Sequence, residues 1–220
     1  MQNPIKPTIK TELFPILLLI ITSITSFYFY SIFPEQVPMH WNIAGEIDGW
    51  GSKTMGAFML PVTMVGMYIL FLGLPYLDPR QKRYEQFSKI YHGFKAIILL
   101  FMAIMYFLIG ANTLGYNVPI GTLVPILVGI LFILIGNYTA KIKPNWFIGI
   151  RTPWTLSSEE VWNKTHRIGG KIFVFSGLLF ILEPFLPLNY QGPVFAIIII
   201  GIVVGTFSYS YFIYKKEQKK

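Results

Sequence analysis

A polar, aromatic-rich stretch between two apolar runs holds many of the side chains in this sequence that could do chemistry. Residues 143–170 read KPNWFIGIRTPWTLSSEEVWNKTHRIGG and include three of the five tryptophans and one of the three histidines. Arg151 stands there among apolar and small neighbours, and its planar guanidinium favours a carboxylate or phosphate acceptor. Glu159, Glu160 or a lipid headgroup could supply that acceptor. A basic surface held by anionic lipid is the alternative interpretation of this stretch.

The second half of this stretch predicts a short amphipathic helix. Prolines make residues 145–155 irregular, and Ser157 with Glu160 three residues later forms a capping box. The helix that follows is expected to lie on the inner leaflet before the next membrane span. Gly169 and Gly170 are the predicted joint between the two.

A second polar stretch, residues 34–56, reads PEQVPMHWNIAGEIDGWGSKTMG. Four of its side chains are considered as possible divalent-metal ligands, which are His40, Glu46 and Asp48 with Asn42 nearby. Their spacing matches no common metal motif, so a hydrogen-bonded turn in which Lys53 pairs with Asp48 is favoured over a metal site.

Two ionisable residues belong to apolar runs. Glu183 either faces the helix bundle or a wet cavity, or lies in the outer headgroup zone because Pro184 and Pro187 end its helix early. Lys95 is expected to snorkel to the interface. No nucleophile–base pair, phosphate-binding loop or HExxH helix is recognisable, so the sequence predicts neither an enzyme nor a cofactor.

The composition and hydropathy pattern predict an integral membrane protein. Hydrophobic residues make up 54% of the 220 residues and charged residues only 13%, whereas soluble domains carry about a quarter charged residues. Six apolar runs are each long enough to cross a bilayer. They cover approximately residues 13–33, 57–76, 94–111, 119–138, 172–188 and 194–214. The prediction is an all-α, polytopic protein of the bacterial cell membrane, with a retained first helix.

The basic residues predict its orientation. Seventeen of the eighteen Lys and Arg residues fall on the side that carries both termini and residues 143–170, and only Lys53 falls on the other. By the positive-inside rule, both termini are cytoplasmic. Because the positive charges lie in connections and tails, the net charge of +8 predicts contact with the lipid bilayer and no direct nucleic-acid partner. Cysteine is absent, which excludes disulfides and thiolate metal sites.

The predicted organisation is a single membrane domain over residues 1–220. It comprises a first helix pair (13–76) with the outer loop 34–56, a second pair (94–138), a cytoplasmic loop with the short helix (139–171) and a third pair (172–214).

Two strings of residues carry a resemblance to known families. Residues 145–156, NWFIGIRTPWTL, followed by Trp162 and His166, resemble the signature of the SdpI family of bacterial membrane proteins. The outer-loop string from His40-Trp41-Asn42 to Lys53, followed by Pro61, is similar to the small domain of unknown function that often precedes that family.

The resemblance implies immunity to a secreted antimicrobial peptide, with a peptide toxin on the outer face and a cytosolic transcriptional repressor held at the membrane. The residues expected to contact a ligand or partner are His40, Trp41, Asn42, Gly45, Asp48 and Lys53 outside, and Asn145, Trp146, Gly149, Arg151, Thr152, Pro153, Trp154, Trp162 and His166 inside. The alternative is a small transporter with Glu183 as a proton or ion site, and an enzyme acting on lipid is least favoured.

Overall fold

Six long helices form the protein in the computed structural model, which describes residues 4–219. All six are long and apolar enough to cross a membrane, so the prediction of an all-α polytopic membrane protein is confirmed. The six are α1 (Ile9–Ile32), α2 (Lys53–Leu77), α3 (Ser88–Thr113), α4 (Ile120–Thr139), α6 (Glu159–Leu182) and α7 (Leu188–Glu217). A short helix α5 (Pro153–Ser157) and the 3-10 segments Gln81–Phe87 and Glu183–Phe185 lie between them.

The segment between α1 and α2 folds as an antiparallel β-hairpin, a feature that the sequence pattern did not predict. Strand β1 (Gln36–Trp41) pairs with β2 (Ile47–Ser52), and irregular register near His40 marks bulges. Val37 is fully buried in a cluster with Phe29, Phe33 and Tyr106. The hairpin is therefore anchored on one face to the ends of α1, α2 and α3.

The long helices associate as two groups of three, α1–α2–α3 and α4–α6–α7. The tightest pair is α4 with α6, where glycines let the backbones touch. A Cβ atom on Gly136 would lie 2.6 Å from the Gly170 carbonyl oxygen, and one on Gly129 would lie 2.5 Å from that of Gly177. Small residues at such crossings replace side-chain packing with direct backbone contact.

The predicted joint between a surface helix and the fifth span is wrong. Helix α6 runs without interruption from Glu159 through Gly169 and Gly170, and Gly170 serves close packing instead of a joint. Its N-cap is Ser158, whose hydroxyl accepts from the Val161 amide at 3.2 Å, while Ser157 ends the separate helix α5. The polar residues that were expected to form a separate surface helix are thus the first turns of α6.

Lys95 does not snorkel to the interface. Its side chain is fully buried, and its ammonium donates to Glu12 Oε2 at 2.6 Å. The Tyr68 hydroxyl donates to the same oxygen at 2.9 Å, and His92 Nδ1 lies 3.3 Å from Glu12 Oε1. Burying the ammonium is tolerable because a carboxylate of α1 faces it.

The bundle has two distinct ends. One, the hairpin end, carries β1, β2 and the short connections 114–119 and 186–187. The other, the signature-loop end, carries the segment between α2 and α3, the segment between α4 and α6, and both ends of the described chain. Ile5 packs there against Tyr84 and Phe87, and Ser158 donates to Glu217 at 2.9 Å.

Candidate functional site

The connection between α4 and α6, residues 140–158, is termed the signature loop. Asn145 organises it and is fully buried. Its Oδ1 accepts from the amides of Phe147 and Ile148 at 2.9 and 2.7 Å, and its Nδ2 donates to the carbonyls of Lys143 and Ile148, both at 2.9 Å. The Asn145 side chain thus provides hydrogen-bond partners for backbone groups that lie outside any helix or strand.

A carboxylate from the first half of the chain holds the same turn. Asp78, which follows α2 directly, is 2% exposed, and its Oδ2 accepts from the Trp146 amide and the Tyr84 hydroxyl, both at 2.9 Å. Its Oδ1 accepts from the Arg80 amide at 2.7 Å. The α2–α3 connection and the signature loop are therefore one hydrogen-bonded unit.

Gly149 brings the loop against α6. It has a φ of +119°, and a Cβ atom there would lie 2.4 Å from His166 Nε2. The buried His166 ring accepts from the Ile150 amide through Nε2 at 3.0 Å, while its Nδ1 donates to the Trp162 carbonyl at 2.9 Å. The Trp162 ring stacks on His166 at 4.0 Å between centroids. These hydrogen bonds fix the ring as a neutral acceptor toward the loop.

The end of the loop is fastened to α7. Thr152 caps α5 in a capping box with Thr155, and its hydroxyl donates to Ser210 at 3.0 Å. Pro153 occupies the first turn of α5, where its missing amide costs nothing. The Trp154 ring meets Tyr211 at 5.0 Å between centroids.

Two residues of the signature loop present an exposed surface. Trp146 is 44% exposed, and the Arg80 guanidinium lies 5.7 Å from its ring centroid. Arg151 is exposed and donates to the Trp146 carbonyl at 2.8 Å. The expected carboxylate acceptors are otherwise engaged, since Glu159 pairs with Arg83 at 2.8 Å and Glu160 with Lys164. Arg151 thus keeps donors that a partner or headgroup can use.

At the hairpin end, the polar side chains form two local pairs. His40 Nδ1 lies 2.5 Å from Asp48 Oδ1, and the Asn42 side chain accepts from the Glu46 amide and donates to the Glu46 carboxylate, both at 3.0 Å. This is the hydrogen-bonded turn that the sequence favoured. The pairing of Lys53 with Asp48 is wrong, because the Lys53 ammonium lies over the Tyr30 ring at 5.4 Å.

The turn of the hairpin rests on α4 through two glycines. Gly45 has a φ of +78°, and a Cβ atom on it would lie 3.2 Å from the Gly121 backbone. Trp41 beside this turn lines a cavity of about 350 Å³ that also meets Glu183. Glu183 is 5% exposed, so it faces the bundle and a cavity, and α6 ends directly before it at Leu182.

The sequence interpretation missed Asp78, Tyr84 and Glu12, which lie at the edges of apolar runs. An acidic residue directly after a span, ahead of a basic connection, is a signal that could have singled out Asp78. Over residues 4–219, no three His, Asp or Glu side chains are grouped so that they could hold a metal ion.

Comparisons with known proteins find two matching segments. Residues 141–212 match the SdpI/YfhL protein family, and residues 17–65 match a domain of unknown function, DUF1648. The chain is 29% identical over 215 residues to the protein named Immunity protein SdpI of Bacillus subtilis (strain 168), covering 94% of this chain and 97% of that one. No solved structure matches. The first segment contains residues 141–158 of the signature loop, and the second contains β1 and β2.

Proposed function

We propose that this chain, in which residues 141–212 match the SdpI/YfhL protein family, is a membrane immunity protein that protects against a secreted antimicrobial peptide. The observation that carries the proposal is the likeness to Immunity protein SdpI along nearly the whole of both chains. That likeness covers the hairpin, the helix bundle and the signature loop together, so it is not confined to one segment of the chain.

The hairpin end is the proposed toxin-facing surface. It carries three exposed carboxylates, Glu35, Glu46 and Asp48, against the single Lys53. The remaining positive charges lie toward the other end, which the positive-inside rule assigns to the cytoplasm. An acidic outer surface favours the approach of cationic peptides, since complementary charge raises the rate of encounter.

The exposed surface of the signature loop is the proposed site for a cytosolic partner, with a transcriptional repressor as the expected class. Trp146 and Arg151 are residue types that dominate binding energy at protein interfaces. Buried hydrogen bonds to Asp78 and Asn145 hold the backbone of residues 146–148 in place, so little ordering free energy is lost when this part of the loop binds a partner. Transport through Glu183 is not proposed, because the likeness that spans the chain is to an immunity protein.

The test is survival of toxin-sensitive bacteria that express this protein. Cells with wild type, Arg151→Ala or Arg167→Ala are challenged with a panel of secreted membrane-active peptide toxins at matched membrane levels. Arg167 is the control, because it is an exposed arginine on α6 outside the Trp146–Arg151 surface. Transcription of a repressor-controlled reporter is followed in the same cells.

Protection by the wild type and by Arg167→Ala supports the immunity proposal. If the signature loop acts through a cytosolic partner, Arg151→Ala protects but loses the reporter response. Sensitivity of wild-type cells to every toxin in the panel, with the protein present in the membrane, contradicts immunity.

A further inference from the structure

A cavity lies beneath the hairpin, between the two groups of helices. Its volume is about 350 Å³, within the range of about 300–1,000 Å³ that is typical of small-molecule pockets. The hairpin covers it with Met39–Ile43, and its walls include Met105 and Ile109 of α3, Val124 and Pro125 of α4, and Phe195 of α7. Both matching family segments contribute to it, so neither segment alone forms the site.

One carboxyl group faces this apolar cavity without a partner. Glu183 is 95% buried, since its exposed fraction is 5%, and it lines the wall. Within residues 4–219 its side-chain oxygens have neither a hydrogen bond nor an ion pair. A buried carboxylate is stabilised only by a positive charge or by donors. The cavity therefore has room for the cation that its own walls do not supply.

The charges around the cavity favour the same ligand. Lys53, the one lysine of the hairpin end, lies over the Tyr30 ring and is absent from the cavity lining. His40 lines the cavity, and its Nδ1 is engaged with Asp48. The apolar walls suit a hydrocarbon stem, and Glu183 suits an ammonium head.

We propose that this cavity binds a primary ammonium group on an apolar stem, and that its natural occupant is a lysine side chain of the peptide toxin. The second clause rests on the proposed immunity function. Glu183 supplies the charge-assisted hydrogen bond to the ammonium. The methionine, isoleucine and valine side chains of the walls remove the stem from water.

Two probes that share a phenylbutyl stem, one with an ammonium head and one with a hydroxyl head, test the site without any toxin. The full-length protein in zwitterionic lipid nanodiscs is titrated calorimetrically with 4-phenylbutylammonium and with 4-phenylbutanol, and empty nanodiscs are subtracted. Wild type, Glu183→Gln, Val124→Phe and Glu35→Gln are compared. Glu35 is the control, because it is an exposed carboxylate at the same end.

The wild type and Glu35→Gln are expected to bind the ammonium at least about tenfold more tightly than the alcohol, the usual effect of one hydrogen bond to a charged group. Glu183→Gln is expected to lose that preference while it still binds the alcohol, which shows an intact cavity. Val124→Phe fills the cavity and is expected to weaken both probes. Equal affinity of the wild type for the two probes, or a preference that survives in Glu183→Gln, overturns the proposal.

The natural occupant is tested in the survival assay. Toxin whose lysines are replaced one at a time by glutamine is offered to cells with wild-type protein, and binding to the nanodiscs is measured beside survival. One replacement is expected to lower binding at least about tenfold, and no lysine with that effect contradicts the assignment of the occupant. Saturable ammonium binding without protection from any toxin would keep the site and overturn the immunity proposal.

Discussion

The Lys95 ammonium of α3 lies 2.6 Å from Glu12 Oε2 of α1 inside the bundle, although the two residues are 83 positions apart in the chain. Tyr68 of α2 donates to the same oxygen, so the contact joins α1, α2 and α3. A charge pair in this position ties three helices together at the signature-loop end, where the N-terminal segment packs.

Removing one charge of this pair is expected to destabilise the fold. Lys95→Met leaves the Glu12 carboxylate without its strongest partner and should lower the free energy of unfolding by about 3 kcal/mol. Adding Glu12→Gln should recover much of that loss, because no unpaired charge is left. The measurement is denaturant unfolding in mixed micelles.

Lys6→Met is the matched control, since Lys6 is exposed and 4.0 Å from Glu85. A surface pair of this kind contributes about 0–1 kcal/mol. Equal losses in Lys95→Met and Lys6→Met would contradict the role assigned to the buried pair.

The α4–α6 contact predicts a difference between two glycine substitutions. A Cβ atom on Gly170 would lie 2.6 Å from the Gly136 carbonyl oxygen, so Gly170→Ala should force the helices apart and cost about 1–3 kcal/mol. Gly66→Ala in α2 has no neighbour within 4 Å and should be neutral or stabilising. Thermal unfolding of both variants checks this, and equal melting temperatures would argue against close backbone packing.

The signature loop predicts a second glycine pair. Gly149→Ala and Gly115→Ala both place a side chain at positive φ, which costs of order 1–3 kcal/mol. Only the Cβ atom at position 149 also collides with His166. Protease cleavage within residues 140–158 should therefore accelerate in Gly149→Ala alone. Cleavage as slow as in Gly115→Ala would mean that the loop can adjust around the added methyl group.

The absence of cysteine makes the orientation directly testable. Glu35→Cys at the hairpin end should react with an impermeant maleimide in intact cells, and Lys141→Cys in the signature loop should react only after lysis. Both positions are exposed, so a difference reports the side of the membrane. The reverse pattern would contradict cytoplasmic termini.

The sequence by itself determined the six spans, because the hydrophobic effect acts on each run of side chains independently of its neighbours. It also singled out the two polar segments, since hydrocarbon excludes such runs unless they are paired. The resemblance of residues 145–156 to the SdpI family was confirmed by comparison. Helix ends were predicted less accurately, because Ser158 caps α6 where Ser157 was expected.

Only the tertiary structure decided which polar side chains meet. Glu12 with Lys95, Asp78 with Trp146, and the unpaired Glu183 in its cavity depend on how distant helices cross. Hydropathy is a property of local sequence, whereas a buried charge is settled by partners that packing brings within hydrogen-bond distance. Lys95 therefore has the sequence pattern of an interfacial lysine and, in the folded bundle, becomes the partner of a carboxylate on α1.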